Sequence, residues 1–448
     1  MTYQEALERE RKAYIARTPK SKAAFEEARN YLAGGECRSI ACFDPYPISY
    51  AYGEGCRIYD FDGNEYIDFL SNYTALIHGH AHPAITKAMT EAAAKGTICP
   101  AVIPEQVELA KIICERMEHV DLIRFCNSGT EATMFALRAA RAYMKRDGVI
   151  KMLGCYHGTH DVVEFSVSPK ITSNTDLTKP IANEPGVPAS AGETVYIARF
   201  NSLEDVDKIL SEHASDIACI LVEPFQGTTG MIPTKPGYLA GLRRLADQYG
   251  VLLVIDEVQG FRLSKGGAQK KFGVRADLCS FGKIIGGGLS VGAFGGRKDI
   301  MSLYDHYASD FPLQQSGTFN GNRVAMAGGI ASLKLLDDAA FEKLDALGER
   351  LYQGMMNAIA QRNMNMCVTK EGSLLNVHYT KEIPYDYEAA YADKTPVAPL
   401  WYLAMLNGGI FPAPRGLFVI STVMTEKEVD KAIEVFAHSL DVIKPYLN

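Results

Sequence analysis

The sequence predicts an α/β fold built on a mainly parallel sheet. Strand-like and helix-like segments alternate from residue 102 onward at the spacing of βαβ units. The apolar runs at 217–222 and 251–255 do not alternate with polar residues, which is typical of strands buried on both faces. The second run ends at Asp256, and open α/β sheets bind ligands at the carboxyl ends of their strands. We therefore expect a ligand site at that edge of the sheet.

The composition limits the class of protein. The chain has 448 residues, 47% hydrophobic and 22% charged, which is typical of a globular protein large enough for two domains. Its net charge of -7, without a basic cluster, argues against a nucleic-acid surface. The ten cysteines form no C-x-x-C pair, no apolar run approaches membrane-spanning length, and the N-terminus has no signal-peptide core. We expect free thiols, no membrane span and a cytoplasmic location.

The N-terminal third predicts several local elements. A helix over 4–32 is broken near Pro19, and a hairpin at 56–69 turns at 62–64. The segment HGHAHP at 78–83 is interpreted as a loop leading into a helix at 83–95, because no acidic or cysteine partner for a metal site is visible. After a strand at 122–126, Ser128 and Glu131 predict a capping box at a helix start where a phosphate could approach the backbone N–H groups.

The remaining elements complete a sheet and a second domain. Further strands are expected at 149–153 and 291–296, with a long surface loop at 166–193. Beyond residue 322 the pattern changes to helices at 322–336, 400–407 and 425–443, a helix reaching 362, and strands near 367, 373–379 and 417–421. We predict that 1–65 is an N-terminal segment of the small domain, 66–325 the large domain and 326–448 a C-terminal small domain.

Lys283 and Asp256 are the predicted reactive pair. Lys283 lies among small and apolar neighbours, where desolvation favours the neutral, nucleophilic amine. A buried acid with an amine nucleophile is what pyridoxal phosphate (PLP) requires, because the lysine holds PLP as a Schiff base and the carboxylate keeps the pyridine nitrogen protonated. Tyr156, at a strand exit, is placed to stack on a planar ring. Each of these residues taken alone could instead be structural.

Six segments in this order resemble the class III, fold-type I PLP-dependent aminotransferases along nearly the whole chain: NSGTEA (127–132), YHG (156–158), VEP (222–224), DEV (256–258), GKIIGGG (282–288) and SGTFNGN (316–322). The resemblance implies a large domain with a mainly parallel seven-stranded sheet between helices, and a smaller α+β domain. It implies that Lys283 carries the cofactor and that Asp256 pairs with the pyridine nitrogen.

The resemblance implies that the phosphate of the cofactor is bound by Ser128, Gly129 and Thr130. It also implies that Tyr156 and Val258 contact the two faces of the ring and that Gln259 contacts the ring oxygen. His157 and Glu223 are the remaining implied cofactor residues. The resemblance also implies an obligate homodimer in which Thr318 reaches the phosphate of the neighbouring subunit.

Two groups within this family compete. The segment 273–301 is very similar to glutamate-1-semialdehyde 2,1-aminomutases, whereas CRS (37–39), SGTFN (316–320) and APRG (413–416) resemble aminotransferases of β-amino acids such as β-phenylalanine. The residues 414–418 also replace a Gln-Phe-Glu-Ala-Gly-Phe run that is usual in the aminomutases.

Arginine binds carboxylates bidentately, so Arg38 and Arg415 are predicted to hold the substrate carboxylates, with Tyr73 lining the pocket. We therefore expect a transaminase that moves an amino group from a β-amino acid to a keto acid such as 2-oxoglutarate. The alternative is an aminomutase, which transfers the amino group within one molecule.

Other classes of protein fit less well. A nicotinamide-dependent oxidoreductase would carry G-x-G-x-x-G after an early strand, but the glycines at 286–288 come late and with the wrong spacing. A P-loop would need a glycine where Asp277 stands. A non-catalytic relative would be expected to have lost its lysine, and Lys283 and Asp256 are both present.

Overall fold

The computed structural model describes residues 1–308, 312–392 and 395–447. The described residues separate into two compact units. Unit 1 takes those of 1–82, 342–383 and 393–448, and unit 2 takes those of 83–341 and 384–392. The units therefore divide near residues 82 and 341, whereas the sequence placed the divisions after 65 and 325. The difference at the second division has a structural reason, because the helix Arg323–Leu335 packs against helices of unit 2.

The strands are β1 (Tyr50–Glu54), β2 (Arg57–Asp60), β3 (Glu65–Asp68), β4 (Leu122–Cys126), β5 (Gly148–Met152), β6 (Val195–Ala198), β7 (Ile217–Val222), β8 (Leu252–Asp256), β9 (Leu278–Gly282), β10 (Gly292–Gly296), β11 (Cys367–Glu371), β12 (Leu374–His378), β13 (Ile410–Phe411) and β14 (Leu417–Val419).

The helices are α1 (Tyr3–Arg17), α2 (Pro19–Ala28), α3 (Ser71–Thr74), α4 (Pro83–Ala93), α5 (Pro104–Arg116), α6 (Gly129–Met144), α7 (Leu203–His213), α8 (Tyr238–Tyr249), α9 (Glu257–Gly260), α10 (Gly267–Phe272), α11 (Lys298–Met301), α12 (Arg323–Leu335), α13 (Asp338–Gln361), α14 (Tyr387–Ala392), α15 (Ala398–Asn407) and α16 (Glu426–Ile443). In the described part of the chain, no helix is long and apolar enough to cross a membrane.

Unit 2 is built on a seven-stranded sheet with the strand order β4-β10-β9-β8-β7-β5-β6. The strands β9, β8, β7, β5 and β6 pair in parallel, and β10 is antiparallel to both of its neighbours. Every residue of β5, β7, β8, β9 and β10 is buried, which explains why their sequences do not alternate. The predicted mainly parallel seven-stranded sheet is confirmed.

The direction of the strands places their following residues at one edge of this sheet. The strands β5, β7, β8 and β9 run in the same direction, so the residues that follow them lie along the same edge. Since β10 is antiparallel to both β9 and β4, the strand β4 also ends at this edge, directly before α6. Helix α6 packs on the sheet through a buried apolar face that includes Phe135, Ala136 and Ala139. The five segments that carry the predicted cofactor residues therefore begin from one edge.

Unit 1 is an α+β unit with two small sheets. The strands β1, β2 and β3 are antiparallel, and β13 adds to β3 in parallel. A second, antiparallel sheet has the order β11-β12-β14. The long helices α1 and α16 both pack on α15, which is buried along most of its length. The predicted helix break is also confirmed, because α1 ends at Arg17 and Pro19 begins α2.

Candidate active site

A cavity of about 150 Å³ lies in unit 2 among the residues that follow the aligned strands. It is lined by Gly129, Thr130, Tyr156, His157, Gly158, Glu223, Asp256, Val258, Gln259 and Lys283. The structure thus brings together nine of the predicted cofactor residues, although they are spread over more than 150 positions of the sequence. Ser128 and Thr318 do not line this cavity.

Asp256 is the last residue of β8, and its buried carboxylate is fixed by three hydrogen bonds. Oδ1 accepts from the backbone N–H of Val258 at 3.0 Å and from Ser280 Oγ at 2.8 Å. Oδ2 accepts from Nδ1 of His157 at 2.9 Å. Burial lowers the pKa of His157, so the imidazole is neutral at pH 7 and its single proton lies on Nδ1, towards Asp256. The carboxylate is therefore held in one orientation at the cavity wall.

Glu223 follows β7 and is a second buried acid in the cavity wall. Its Oε2 accepts from the backbone N–H of Tyr156 at 2.9 Å, and its Oε1 accepts from that of Gly227 at 3.4 Å. Burial, and then the negative charge of Asp256, raise the pKa of Glu223 to about 8. Glu223 is therefore mostly protonated at pH 7.

Lys283 directly follows β9 and adopts a strained backbone conformation. Its φ of +52° lies in the left-handed region, which residues other than glycine rarely adopt and which is enriched at functional sites. The side chain lines the cavity and is half-buried. The predicted desolvation is therefore partial in this structure.

The start of α6 differs from the predicted capping box in one bond. Ser128 Oγ accepts from the backbone N–H of Glu131 at 3.1 Å, as predicted. The carboxylate of Glu131, however, accepts at 2.9 Å from the backbone N–H of Asn127 instead of that of Ser128. The next residue, Gly129, lies against Val258, and a Cβ atom at position 129 would come within 3.0 Å of it. Glycine at this position avoids that close contact.

The loop that carries Thr318 is attached to the end of β4 in the same chain. Asn127 Nδ2 donates to Asn320 Oδ1 at 2.7 Å, and Gln315 Nε2 donates to the backbone oxygen of Phe125 at 2.8 Å. Thr318 itself is exposed at the tip of the loop. The structure therefore fixes the base of this loop and leaves its tip available.

The three predicted substrate residues lie together in unit 1. The guanidinium carbons of Arg38 and Arg415 are 4.7 and 5.9 Å from the centre of the Tyr73 ring. Tyr73 donates its hydroxyl hydrogen to the backbone oxygen of Ile40 at 2.8 Å, and Arg38 donates to Asn72 Oδ1. Arg38, Asn72 and Tyr73 line a cavity of about 420 Å³ in this unit.

Three polar residues with specific partners were not predicted from the sequence. No acidic partner was expected for the HGHAHP segment, but His80 Nε2 hydrogen-bonds Asp68 Oδ2 at 2.7 Å. Lys151, in β5, is fully buried and donates to the backbone oxygen of Cys155 at 2.6 Å. Burial lowers the pKa of Lys151 to about 8. Two features of the sequence could have indicated these residues: the acid Asp68 at the end of a hairpin strand, and the lysine Lys151 inside an apolar strand.

The unit 2 cavity has the groups that PLP requires. It offers an amine at Lys283, a buried acid at Asp256, an aromatic ring at Tyr156 and a helix start at Gly129. Two buried polar atoms of the cavity wall, His157 Nε2 and Gln259 Oε1, have no hydrogen-bond partner among the described residues. Buried polar atoms are normally paired, so these two favour a polar ligand in the cavity.

Comparison with known proteins identifies the family. The family model described as Aminotransferase class-III matches residues 42–440. The chain is 39% identical to the glutamate-1-semialdehyde 2,1-aminomutase of Desulforudis audaxviator, over 93% of this chain and 96% of that protein.

Two solved structures are also similar. An ω-transaminase from Sphaerobacter thermophilus has 34% identity and a TM-score of 0.91, over 95% of this chain and 98% of that one. A β-phenylalanine aminotransferase from Variovorax paradoxus has 33% identity and a TM-score of 0.89, over 100% of this chain and 99% of that one.

These relatives correct the predicted activity. Curated relatives with 36–39% identity over 93–95% of the chain are glutamate-1-semialdehyde 2,1-aminomutases. The expected β-amino-acid transaminase is therefore wrong, and the aminomutase alternative is better supported. The error arose because the preference rested on three segments of a few residues each, whereas the identity to the aminomutases extends along nearly the whole chain. The predicted family and cofactor are confirmed: the chain belongs to the class III aminotransferases and is a PLP-dependent enzyme.

Proposed function

We propose that this enzyme converts glutamate-1-semialdehyde to 5-aminolevulinate by moving the amino group within the substrate. The observation that carries the proposal is the identity to aminomutases along nearly the whole chain. Substrate and product are isomers: the amino group moves from C2 to C1 while the carbonyl oxygen moves from C1 to C2. The net reaction therefore needs no external amino donor, keto acid, oxidant or reductant.

Lys283 and Asp256 would have the central roles in this reaction. Bound PLP supplies an electron sink that stabilises negative charge at the reacting carbon of the substrate. Lys283 would hold the cofactor at rest and then move a proton between neighbouring atoms as general base and acid. Asp256, fixed by Val258, Ser280 and His157, would face the pyridine nitrogen and keep it protonated.

The other cavity residues would hold the cofactor. We assign the phosphate to Ser128, Gly129 and Thr130, because the first N–H groups of α6 carry the positive end of the helix dipole. The remaining contacts would come from Tyr156 and Val258 on the two ring faces, Gln259 at the ring oxygen, His157, which hydrogen-bonds Asp256, and Glu223, which accepts from the backbone N–H of Tyr156.

The substrate carboxylate would be held in unit 1. Glutamate-1-semialdehyde has one carboxylate, so one arginine is sufficient to bind it. Arg38 and Arg415 are both close to Tyr73, and Arg38 forms no salt bridge with the described residues. We assign the carboxylate to Arg38, with Arg415 and Tyr73 completing the site.

We also propose a homodimer in which Thr318 reaches the phosphate of the neighbouring subunit. Two observations favour it: the base of the loop is bonded to β4, and its tip exposes Thr318 and the large apolar side chain of Phe319, which is 56% exposed. The cytoplasmic location predicted from the cysteines and the N-terminus stays a prediction.

The test is to incubate the PLP-loaded protein with glutamate-1-semialdehyde alone and to measure 5-aminolevulinate. Formation of 5-aminolevulinate without a keto acid is the expected result. Amino transfer that occurs only when 2-oxoglutarate is added would refute the proposal.

Substitutions of two separate lysines provide a matched comparison. Lys283→Ala should bind PLP and make no 5-aminolevulinate, whereas Lys270→Ala, which changes an exposed lysine of the same unit, should keep the wild-type rate. Wild-type turnover by Lys283→Ala would remove this residue from the mechanism.

A further inference from the structure

The turn α3, which carries Asn72 and Tyr73, has a left-handed backbone throughout. The φ values of Ser71, Asn72, Tyr73 and Thr74 are +48°, +48°, +56° and +79°. Four consecutive residues other than glycine rarely adopt this conformation, because each Cβ atom then approaches the following carbonyl oxygen. Such strain persists only where the surrounding structure fixes the backbone, and it is enriched at functional sites.

Asp68 is the residue that fixes the start of this turn. Its buried Oδ1 accepts from the backbone N–H groups of Leu70 and Ser71, at 2.8 and 2.9 Å. Its other oxygen, Oδ2, is bonded to His80 Nε2 at 2.7 Å. Because the two oxygens have different partners, the orientation of the carboxylate depends on His80.

His80 is itself held in one orientation. Its backbone exchanges two hydrogen bonds with Gly55, at 3.0 and 2.7 Å. Its ring packs on Gly53, where a Cβ atom would come within 2.5 Å of the ring. The hydroxyl of Tyr50 lies 3.4 Å from Nδ1. The imidazole therefore presents its Nε2–H to Asp68 from a fixed position.

The turn presents its residues to the same cavity that Asp68 and His80 line. Asp68, His80, Asn72, Tyr73 and Arg38 all contribute to the walls of the 420 Å³ cavity of unit 1. Asn72 accepts a hydrogen bond from Arg38, and the Tyr73 ring lies against its guanidinium group. A change in the turn would therefore change the position of the arginine.

We propose that Asp68 and His80 are positioning residues for binding of the substrate carboxylate. His80 orients Asp68, Asp68 holds the left-handed turn, and the turn places Asn72 and Tyr73 so that Arg38 is preorganised. This inference rests on the proposed function through the carboxylate role of Arg38. A purely structural role for the pair would instead change stability without changing the affinity for a carboxylate.

The test compares two substitutions of His80 that differ in one hydrogen bond. His80→Gln can place an amide N–H near the position of Nε2 and keep the bond to Asp68, whereas His80→Asn is too short to do so. In the PLP-loaded enzyme, we expect His80→Asn to raise the KM for glutamate-1-semialdehyde about tenfold, the typical effect of one hydrogen bond to a charged group, with kcat and PLP affinity unchanged. His80→Gln should restore most of the KM. His82→Asn, the same exchange in the same loop, is the control.

Two measurements on the PLP-loaded enzyme separate this inference from the proposed function. The first is calorimetric titration with levulinate, a carboxylate that resembles 5-aminolevulinate but has no amino group. The second is hydrogen exchange of the peptide that contains residues 68–76. We expect His80→Asn to weaken levulinate binding about tenfold and to speed exchange in that peptide.

A wild-type enzyme that makes no 5-aminolevulinate refutes the proposed function, while the titration and the exchange still test the pair. The inference is overturned if the wild type does not bind levulinate. It is also overturned if His80→Asn speeds exchange but binds levulinate like the wild type, or if His80→Gln behaves like His80→Asn.

Discussion

Replacing Glu223 by glutamine should make unit 2 more stable at neutral pH. Glu223 is buried, and its pKa is raised from the ordinary value of 4.5 to about 8. Between these two values the folded state keeps the proton that the unfolded state has lost. The folded state therefore binds more protons, so the stability of the wild type falls as the pH rises from 4.5 to 8 and is constant in this respect above 8.

The size of the effect follows from the same shift. Each pH unit above 4.5 destabilises the wild type by about 1.4 kcal/mol, which gives about 3 kcal/mol at pH 7. Glutamine has no such penalty. Its amide can accept from the backbone N–H of Tyr156 but not also from that of Gly227, a loss of about 1 kcal/mol. The net gain at pH 7 is therefore about 2 kcal/mol, and at pH 5 it disappears.

The assay is urea unfolding of cofactor-free protein at pH 5, 6, 7 and 8, because bound PLP would change the charges around Glu223. The exposed Glu193→Gln of the same unit is the matched control and should follow the wild type at every pH. Glu257, whose pKa burial raises to about 7, is present in both proteins and contributes the same slope to both. If the free energy of unfolding of Glu223→Gln changed with pH in the same way as that of the wild type, the reasoning would be refuted.

Two further substitutions test other buried groups. Asp256→Asn keeps an acceptor for Ser280 and Val258 but removes the charge proposed to face the pyridine nitrogen, so PLP should still bind while 5-aminolevulinate formation falls about 100-fold. Activity within a few-fold of the wild type would contradict that role. Lys151→Met should remove from the pH dependence of thermal stability between pH 8 and pH 10 the rise that Lys151 contributes, because the lowered pKa of Lys151 means that the folded state binds fewer protons than the unfolded state over that range. The same pH dependence in variant and wild type would contradict this reasoning.

The two residues of the predicted reactive pair could be recognised because their signals are local. Asp256 ends an apolar run, and Lys283 stands among small residues, so both can be recognised in a few positions of sequence. The parallel sheet was equally visible, because strands that are buried on both faces have no polar alternation. Local patterns of this kind predicted the fold and singled out Asp256, Lys283 and Tyr156, whereas the other predicted residues of the cavity came from the family resemblance.

The parts that could not be predicted depend on tertiary structure. The pairing of Asp68 with His80 joins residues twelve positions apart across a strained turn that contains no glycine, so nothing in the sequence marks its backbone as left-handed. The carboxylate of Glu131 can reach the backbone N–H of either Asn127 or Ser128. The local backbone conformation at Asn127 determines that it accepts from Asn127. The substrate was predicted wrongly because a few residues near Arg38 and Arg415 were given more weight than the rest of the chain.

The hydrogen bond between Asn127 and Asn320 has a consequence for communication between subunits. Asn127 immediately precedes Ser128, which is proposed to bind the phosphate, and Asn320 is two residues beyond Thr318. In the proposed dimer, one 2.7 Å bond would therefore join the phosphate site of each subunit to the loop that completes the site of the other. Loss of PLP from one subunit would weaken the binding of PLP in the other subunit. The two molecules of PLP would therefore dissociate from the dimer cooperatively.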